Sequence, residues 1–558
     1  MAVSAWSFST AIAQNPYLPL WEYIPDGEPY VFEDPDKPGQ QRVYIYGSHD
    51  SRVTDYCGLE QVVWSAPIDD LNSWRYDGII FKSEKDRDGN PLNPDGKGDI
   101  LFAPDVTLVT DADGSKTYYL YPNNQADGRQ GMIAKSNRPD GPFEVCNWSK
   151  TEPAKTDGVL GFDPAVFVDD DGKVYGYWGF RESYAAELDP ATMATVKPGT
   201  EIVEFMIPGY QQDEKYRFFE ASSIRKIKDK YVFIYSRFTR DGEFGLPTSN
   251  YTLAYAYSDN PLGPYTYGGT IIDGRARGRD ENGKVIPTAY PSGNTHGSIC
   301  EIDGKWWVFY HRQTGTNEYS RQAVVAAIDV EVEEGPGGKV FISEGEFNSE
   351  GFATSGLNPQ YKTPAGLACY LVGPSGSSNS FPNFTFSGSY IKPTYFNPES
   401  YEGPFNQKMP YDPIVNNTAG STVGYKYFDF SKIDGTRPME FVCHLIPQGI
   451  EGKVSLLIDS PYRSKGGKDI GCFVIDEAMP IEMAELKCRV SGLDRVNGKH
   501  PLYLLFESDT KGKSICELYD FQFISKYEGR EEGGDESPEH LLPLGTTQRS
   551  EAGDQRHI

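Results

Sequence analysis

GFDPAVFVDDDGKVYGYWG (161–179) reads as two β-strands and the turn between them. An Asp-Pro step opens a short apolar run, DDDGK supplies a tight turn, and VYGYW follows as a strand dense in aromatic and β-branched residues. The second half of the phrase recurs as QRVYIYGS (41–48), SKTYYLYPN (115–123), DKYVFIYS (229–236) and GKWWVFYHR (304–312). Upstream of each copy lies a second apolar strand whose opening holds one ionisable residue. These openings are PDGEPYVF (Asp26), APDVTLV (Asp105), FDPAVFV (Asp163), EASSIRKI (Glu220) and HGSICEI (His296). From the last four to Tyr118, Tyr175, Tyr231 and Trp306 the offsets are 13, 12, 11 and 10 residues. The first copy is longer by the loop EDPDKPGQ.

Five similar β-units in tandem predict a five-bladed β-propeller over residues 15–345, in an all-β chain. The first strand of a blade lies nearest the axis, so the five openings gather at one end of the central channel. Asp-Pro and Pro-Asp also start strands through turn chemistry alone. Five copies in register favour a shared site over five unrelated turns.

The 558 residues allow two to four domains at roughly 150 residues each. With 37 Tyr, 30 Phe, 58 Gly and 40 Pro, the chain is rich in strand formers and turn residues. Its 80 Asp and Glu against 53 Lys and Arg give a net charge of −27, the wrong sign for a nucleic-acid partner. No apolar run reaches the roughly 20 residues of a membrane span. The eight Cys show no CxxC and no metal spacing, and read mostly as buried thiols. Residues 1–14 end in Ala11-x-Ala13 like a signal-peptidase site but lack a basic start and an apolar core. They leave the compartment open between the cytoplasm and, if they are a signal remnant, the exterior.

Several carboxylates in one aromatic-walled pocket suit glycoside cleavage: one acid protonates the departing oxygen and one carboxylate activates water or attacks directly. A third carboxylate keeps the proton on the acid and orients it. Clustered carboxylates also suit Ca²⁺, although no DxDxDG loop is present. No GxSxG, Ser-His-Asp set or phosphate-binding glycine loop points to esterase, kinase or nucleotide chemistry.

NPYLPLWEYIPDGEPYVF, RVYIYGSHD, FAPDV, GFDPAVFVDDDGKVYGYWG, FFEASSIRKIKDKYVFIYS and NTHGSICEIDGKWWVFYHR together resemble glycoside hydrolase family 43. The resemblance implies a five-bladed propeller that hydrolyses β-xylosides, α-L-arabinofuranosides and arabinans with inversion. Carried over by motif, the general base falls on Asp26, the general acid on Glu220, and the residue that tunes and orients the acid on Asp163. The family usually has proline directly after the base, so Gly27-Glu28 makes Glu28 a second candidate. Phe102, where members often carry Trp, and Phe162 become apolar walls for the sugar. Asp105 either contacts a sugar hydroxyl or caps its strand. Arg321 in YSRQAV resembles a substrate-contacting arginine or makes a structural ion pair. His296 resembles a histidine beneath the pocket that contacts substrate or helps to hold a water or a structural Ca²⁺, and it reads alternatively as a channel histidine satisfied by hydrogen bonds; no cofactor is otherwise required. His49 reads as a polar strand end near the pocket.

The resemblance implies an exo-acting hydrolase of plant oligo- or polysaccharides such as arabinoxylan or arabinan, releasing α-L-arabinofuranose. A β-D-xylosidase is the alternative, and a non-catalytic carbohydrate-binding propeller the alternative of another class. After a linker (346–365), short apolar runs over 366–526 predict a jelly-roll-like β-sandwich that resembles carbohydrate-binding modules of the family 6 type. It reads either as a sugar binder or as a buttress for the propeller. Residues 527–558 are too polar to form a core and are expected to be disordered.

Overall fold

The computed structural model describes residues 14–52, 55–290, 293–374, 387–393 and 412–525. The expected tail 527–558, and all but the last residue of the 1–14 segment, lie outside these residues.

The propeller has five blades, each an antiparallel meander in chain order. The first comprises Glu28–Glu33, Gln41–Tyr46, Glu60–Pro67 and Arg75–Lys82. The second, third and fourth begin with Asp105–Thr110, Ala165–Val168 and Phe218–Ile227 and also have four strands each. The fifth has three: Ser298–Ile302, Lys305–Arg312 and Gln322–Ile328. The first strands of neighbouring blades pack against one another around the axis.

Every aromatic phrase forms the second strand of its blade. That strand is covered on both faces, which explains why it carries an unbroken apolar run instead of a polar alternation. Successive residues face opposite neighbours. Tyr44 and Tyr46 join Tyr118 and Leu120 between the first two blades, while Val43 and Ile45 meet Trp307 and Phe309 between the first and the fifth. Tyr175 and Tyr177 pack on Phe233 and Tyr235 of the fourth blade, and Val232 and Ile234 on Val308 and Tyr310 of the fifth. The recurrent phrase therefore builds the cores between blades.

The ring closes through the N-terminal segment. Tyr17, Leu18, Trp21 and Ile24 fill the wedge between the first and fifth blades. Asn15 bonds the edge of the fifth blade: its amide donates to Val325 O (2.6 Å), and its amide oxygen accepts from Val325 N (2.9 Å).

The second domain is a β-sandwich of two antiparallel sheets. One runs Tyr370–Val372, Thr422–Asp429, Lys499–Glu507, Gly452–Ile458, Lys468–Ile475. The other runs Tyr390–Ile391, Ile414–Val415, Cys516–Ser525, Met439–Pro447, Ala484–Val490, with Thr363–Pro364 also paired to Cys516–Ser525. The stretch expected as a linker is thus built in. Asn15 N–H bonds Ser349 O (2.9 Å), Lys499 Nζ bonds Glu350 (2.6 Å), and Thr363 already belongs to the sandwich.

The two domains share a core in which Leu20, Tyr251 and Tyr290 of the propeller join Leu367, Ala368 and Tyr425 of the sandwich. Buried Arg312, at the end of the fifth blade's second strand, donates to Ala368 O (2.8 Å) and to Gly366 O. Asp412 accepts from Tyr23 (3.1 Å) and Gln322 (2.9 Å). Ring closure and docking meet at the fifth blade. Asn15→Ala removes both bonds to the buried edge at Val325 and is expected to cost about 2–4 kcal/mol, read as a lowered thermal midpoint with the strand content unchanged.

Candidate active site

The blade openings converge on a pocket of about 600 Å³ whose lining includes Asp26, Asp163, Glu220 and Arg321. Local backbone geometry aims these carboxylates. Asp26 and Asp163 have φ of 61° and 47°, a left-handed conformation that aspartate tolerates better than most residues. Glu220 lies at a β-bulge: pairing with the neighbouring strand shifts on both sides of it, and Ala221 has φ 68°. A bulge re-aims a side chain that regular pleating would direct elsewhere.

The three carboxyl groups have different surroundings. Asp26 accepts from Ser48 Oγ at 2.6 Å and lies 3.2 and 3.3 Å from Arg321 Nη1. Burial pushes its carboxyl up, but the Arg321 guanidinium, helped by Ser48, more than offsets this and holds it below the usual aspartate range. Its backbone N–H donates to His311 Nδ1 at 3.2 Å, and His311 Nε2 faces Asn294 O at 2.9 Å. Burial pushes His311 down to about 3, so the imidazole is neutral and carries its proton on Nε2.

Asp163 accepts from Asn123 Nδ2 (2.8 Å) and from the backbone N–H of Ala221 (3.0 Å). Glu220 is half-buried and accepts no hydrogen bond among the described residues. Burial, then the facing charges of Asp163 and Asp26, push Glu220 well above the usual glutamate range, with Arg321 opposing. Burial and Asp26 likewise raise Asp163. Two donors favour the charged form of Asp163, so the proton that this pair retains belongs on Glu220. The pocket therefore pairs an ionised aspartate with a protonated glutamate.

Phe162, Phe180, Phe219 and Phe238 line the pocket as a chain of touching rings that continues to Tyr210. Ring centroids are 5.3 Å apart for Phe162 and Phe180, 5.1 Å for Phe180 and Phe219, 4.5 Å for Phe219 and Phe238, and 5.4 Å for Phe238 and Tyr210. Flat apolar surfaces beside paired carboxyl groups match the needs of a sugar ring.

The family model for glycosyl hydrolases family 43 matches residues 33–335. A xylosidase/arabinosidase from Thermoclostridium stercorarium is 35% identical over 441 residues, covering 76% of this chain and 84% of the relative. The chain belongs to glycosyl hydrolase family 43. A xylosidase/arabinosidase from Humicola insolens is 30% identical over 332 residues, covering 52% of this chain and 88% of that protein. A solved family 43 arabinoxylan arabinofuranohydrolase from Bacillus subtilis, in complex with cellotetraose, aligns over 92% of this chain and 97% of its own at 19% identity and TM-score 0.41.

This family 43 glycosidase brings Asp26, Asp163, Glu220, Phe102, Phe162, His296 and Arg321 to one pocket. Asp105 is not among the lining residues. Both its oxygens are engaged away from the pocket, with Tyr30 Oη at 2.6 Å and the backbone N–H of Val166 at 2.7 Å, where it ties the first strands of three blades together. Glu28 lies deeper on the axis, paired with Arg225 at 2.8 Å, which leaves Asp26 as the carboxylate at the first blade's opening. His49 pairs with Glu22 at 3.0 Å. Arg321 serves both readings given to it: it lines the pocket and forms a two-pronged pair with buried Asp50, Nε–Oδ2 2.9 Å and Nη2–Oδ1 2.8 Å.

Sequence reading missed Ser48, Asn123 and His311, which hold Asp26 and Asp163, and Asp50, which holds Arg321. Each is at the end of an aromatic phrase or just past it, a position that recurs across the copies and was available as a signal. Ser48→Ala removes a bond that holds Asp26 ionised without removing a pocket wall. The acid limb of kcat/KM is then expected to move up by about one pH unit, with the basic limb unmoved.

Proposed function

We propose that this family 43 glycosidase is an inverting exo-hydrolase that releases α-L-arabinofuranose from arabinoxylan or arabinan, with β-D-xylose as the alternative sugar. The observation that carries the mechanism is the opposite electrostatic bias on two carboxyl groups of one pocket. Asp26, ionised beside Arg321, is the base that deprotonates the attacking water. Glu220, kept protonated by burial and by facing carboxylates, donates to the departing glycosidic oxygen. Asp163 stays charged on its two N–H donors and so prevents Glu220 from ionising early. Inversion needs room for a water between base and sugar. The first-formed sugar, followed by NMR, is therefore expected to have the anomeric configuration opposite to that of the substrate.

The reading requires no cofactor. At the axis His296 Nε2 and Glu28 Oε1 face each other at 3.9 Å, and neither atom has a hydrogen-bond partner among the described residues. Burial holds His296 down at about 4, so it is neutral. One carboxylate oxygen and one imidazole nitrogen do not form the six- to eight-oxygen cage of a calcium ion. No group of three His, Cys, Asp or Glu residues among those described could hold a metal. The pair matches a bridging water better.

For the sandwich we favour the buttress over the sugar binder. Among the described residues after 345, the exposed large apolar side chains are aliphatic at Val474 and Ile524 in the sheets and at Ile481 and Met483 in the loop before Ala484–Val490, with Tyr361 as the single exposed aromatic, where a sugar-stacking platform needs several.

Two chromogenic substrates, 4-nitrophenyl α-L-arabinofuranoside and 4-nitrophenyl β-D-xylopyranoside, together with arabinoxylan, test the function. Turnover of either glycoside names the sugar, and silence on all three overturns the proposal. Asp26→Ala is expected to lower kcat by at least about 10²–10⁴ on every substrate. Glu220→Ala is expected to cost more on arabinoxylan than on the nitrophenyl glycosides, because nitrophenolate needs little help from an acid. The wild-type kcat/KM profile is expected to be bell-shaped. It rises as pH passes up through the lowered Asp26 value, which frees the base, and falls as pH passes up through the raised Glu220 value, which removes the acid's proton.

A further inference from the structure

A fourth carboxyl group lines the pocket and has no part in the mechanism above. Glu318 lies in the loop between the second and third strands of the fifth blade, three residues before Arg321, and is 9% exposed. Its carboxyl makes no hydrogen bond or ion pair with any described residue. Arg321, whose charge opposes the rise of the Glu318 carboxyl, is already committed. Its Nε and Nη2 are taken by Asp50, and its Nη1 points to Asp26. Its oxygens face the pocket, where water or a bound molecule can donate to them.

The loop is built to hold that side chain still. Gln313 N–H bonds Tyr251 Oη (2.9 Å), Thr314 Oγ1 and Ser320 Oγ close the loop's neck (2.8 Å), and Tyr319 stacks edge-on against Tyr56 at 5.0 Å. From the sandwich, Ile391 O accepts from Gly315 N–H at 2.8 Å. Gly315 has φ 66°, and a Cβ there would come within 3.0 Å of Pro393, so the loop can lie against the sandwich only with glycine at this point.

We infer that Glu318 is a specificity-determining residue whose carboxyl binds a hydroxyl group of the pentose held in the pocket. The inference rests on the pentosidase reading above and assigns that sugar a further contact. An ionised carboxylate accepts from one or two adjacent hydroxyls, and a protonated one also donates. Burial holds Glu318 up at about 7, with Arg321 opposing, so both forms are present at neutral pH. A site built to pair with a hydroxyl rejects analogues that lack it, because the buried group is then left unpaired.

The test compares wild type, E318Q and E318A. It measures kcat and KM on the two nitrophenyl glycosides, inhibition by free L-arabinose and D-xylose, and thermal midpoints. In E318A, KM for the preferred glycoside and Ki for its free sugar are expected to rise roughly tenfold or more, with kcat changing far less. E318Q keeps an acceptor and a donor and is expected to recover part of the loss. Among monodeoxy versions of the preferred glycoside, one is expected to be discriminated against by wild type and not by E318A. Unchanged KM and Ki in both variants, or kcat, KM and stability declining together in E318Q, would overturn the inference. Should wild type turn over neither glycoside, the pentosidase reading is what fails. Direct titration of L-arabinose and D-xylose into wild type and E318Q then decides: weaker binding by E318Q supports the contact, and equal or absent binding overturns it.

Discussion

The Arg321 guanidinium, buried between Asp50 and Asp26, is the interaction on which the site depends. A lone cation at this depth would be strongly disfavoured, and two carboxylates without it would repel each other. Asp50 follows the second strand of the first blade, Asp26 precedes that blade, and Arg321 immediately precedes the last strand of the fifth. The ion triad therefore crosses the seam at which the ring closes. It also decides the chemistry, because the same guanidinium keeps Asp26 ionised while its pull on Glu220 is outweighed by burial and the facing carboxylates.

A propeller solves a problem that pairs of like charges pose. Carboxylates brought together by neighbouring residues on one strand could relax apart by local adjustment. Here each comes from a different blade, and each blade is fixed by apolar cores on both faces. Asp26, Asp163 and Glu220 cannot separate without disturbing those cores. Packing energy distributed over Tyr44, Tyr177, Phe233 and Trp307 thus sustains a raised glutamate and a lowered aspartate in one cavity. The left-handed residues at Asp26, Asp163 and Ala221 fit the same account, since strain of this kind persists only where the surroundings over-determine it.

Much of this was legible in the amino-acid sequence, for a physical reason. A strand covered on both sides must be apolar at every position, so the five phrases stand out, and the charged openings before them stand out by contrast. What escapes is whatever depends on the direction of a side chain at a strand end. Asp105 and Asp163 open their blades with the same chemistry, yet one turns to Tyr30 and the other to the pocket. His311 is one residue from Arg312, but one supports the base while the other crosses to the sandwich. Residues 346–365 read as a linker because they are polar and glycine-containing. They are held instead by Asn15, Lys499 and the pairing of Thr363, partners remote in sequence. The strands of the sandwich are visible as apolar runs, but their order in the sheets rests on long-range pairings that no local pattern encodes.

The fifth blade explains why the second domain is docked where it is. With three strands where the other blades have four, it presents its third strand as an edge that would otherwise invite pairing. It nevertheless carries His311, Glu318 and Arg321, and so has the least freedom to move. Asn15 takes the place of a strand at Val325. Arg312 extends into the sandwich, Gln322 is bound through Asp412, and Gly315 rests on Ile391. Every one of these contacts acts on the blade, and none of these partners reaches into the pocket. The sandwich therefore need not touch sugar to matter for hydrolysis: it completes the blade that holds the base's cation in place.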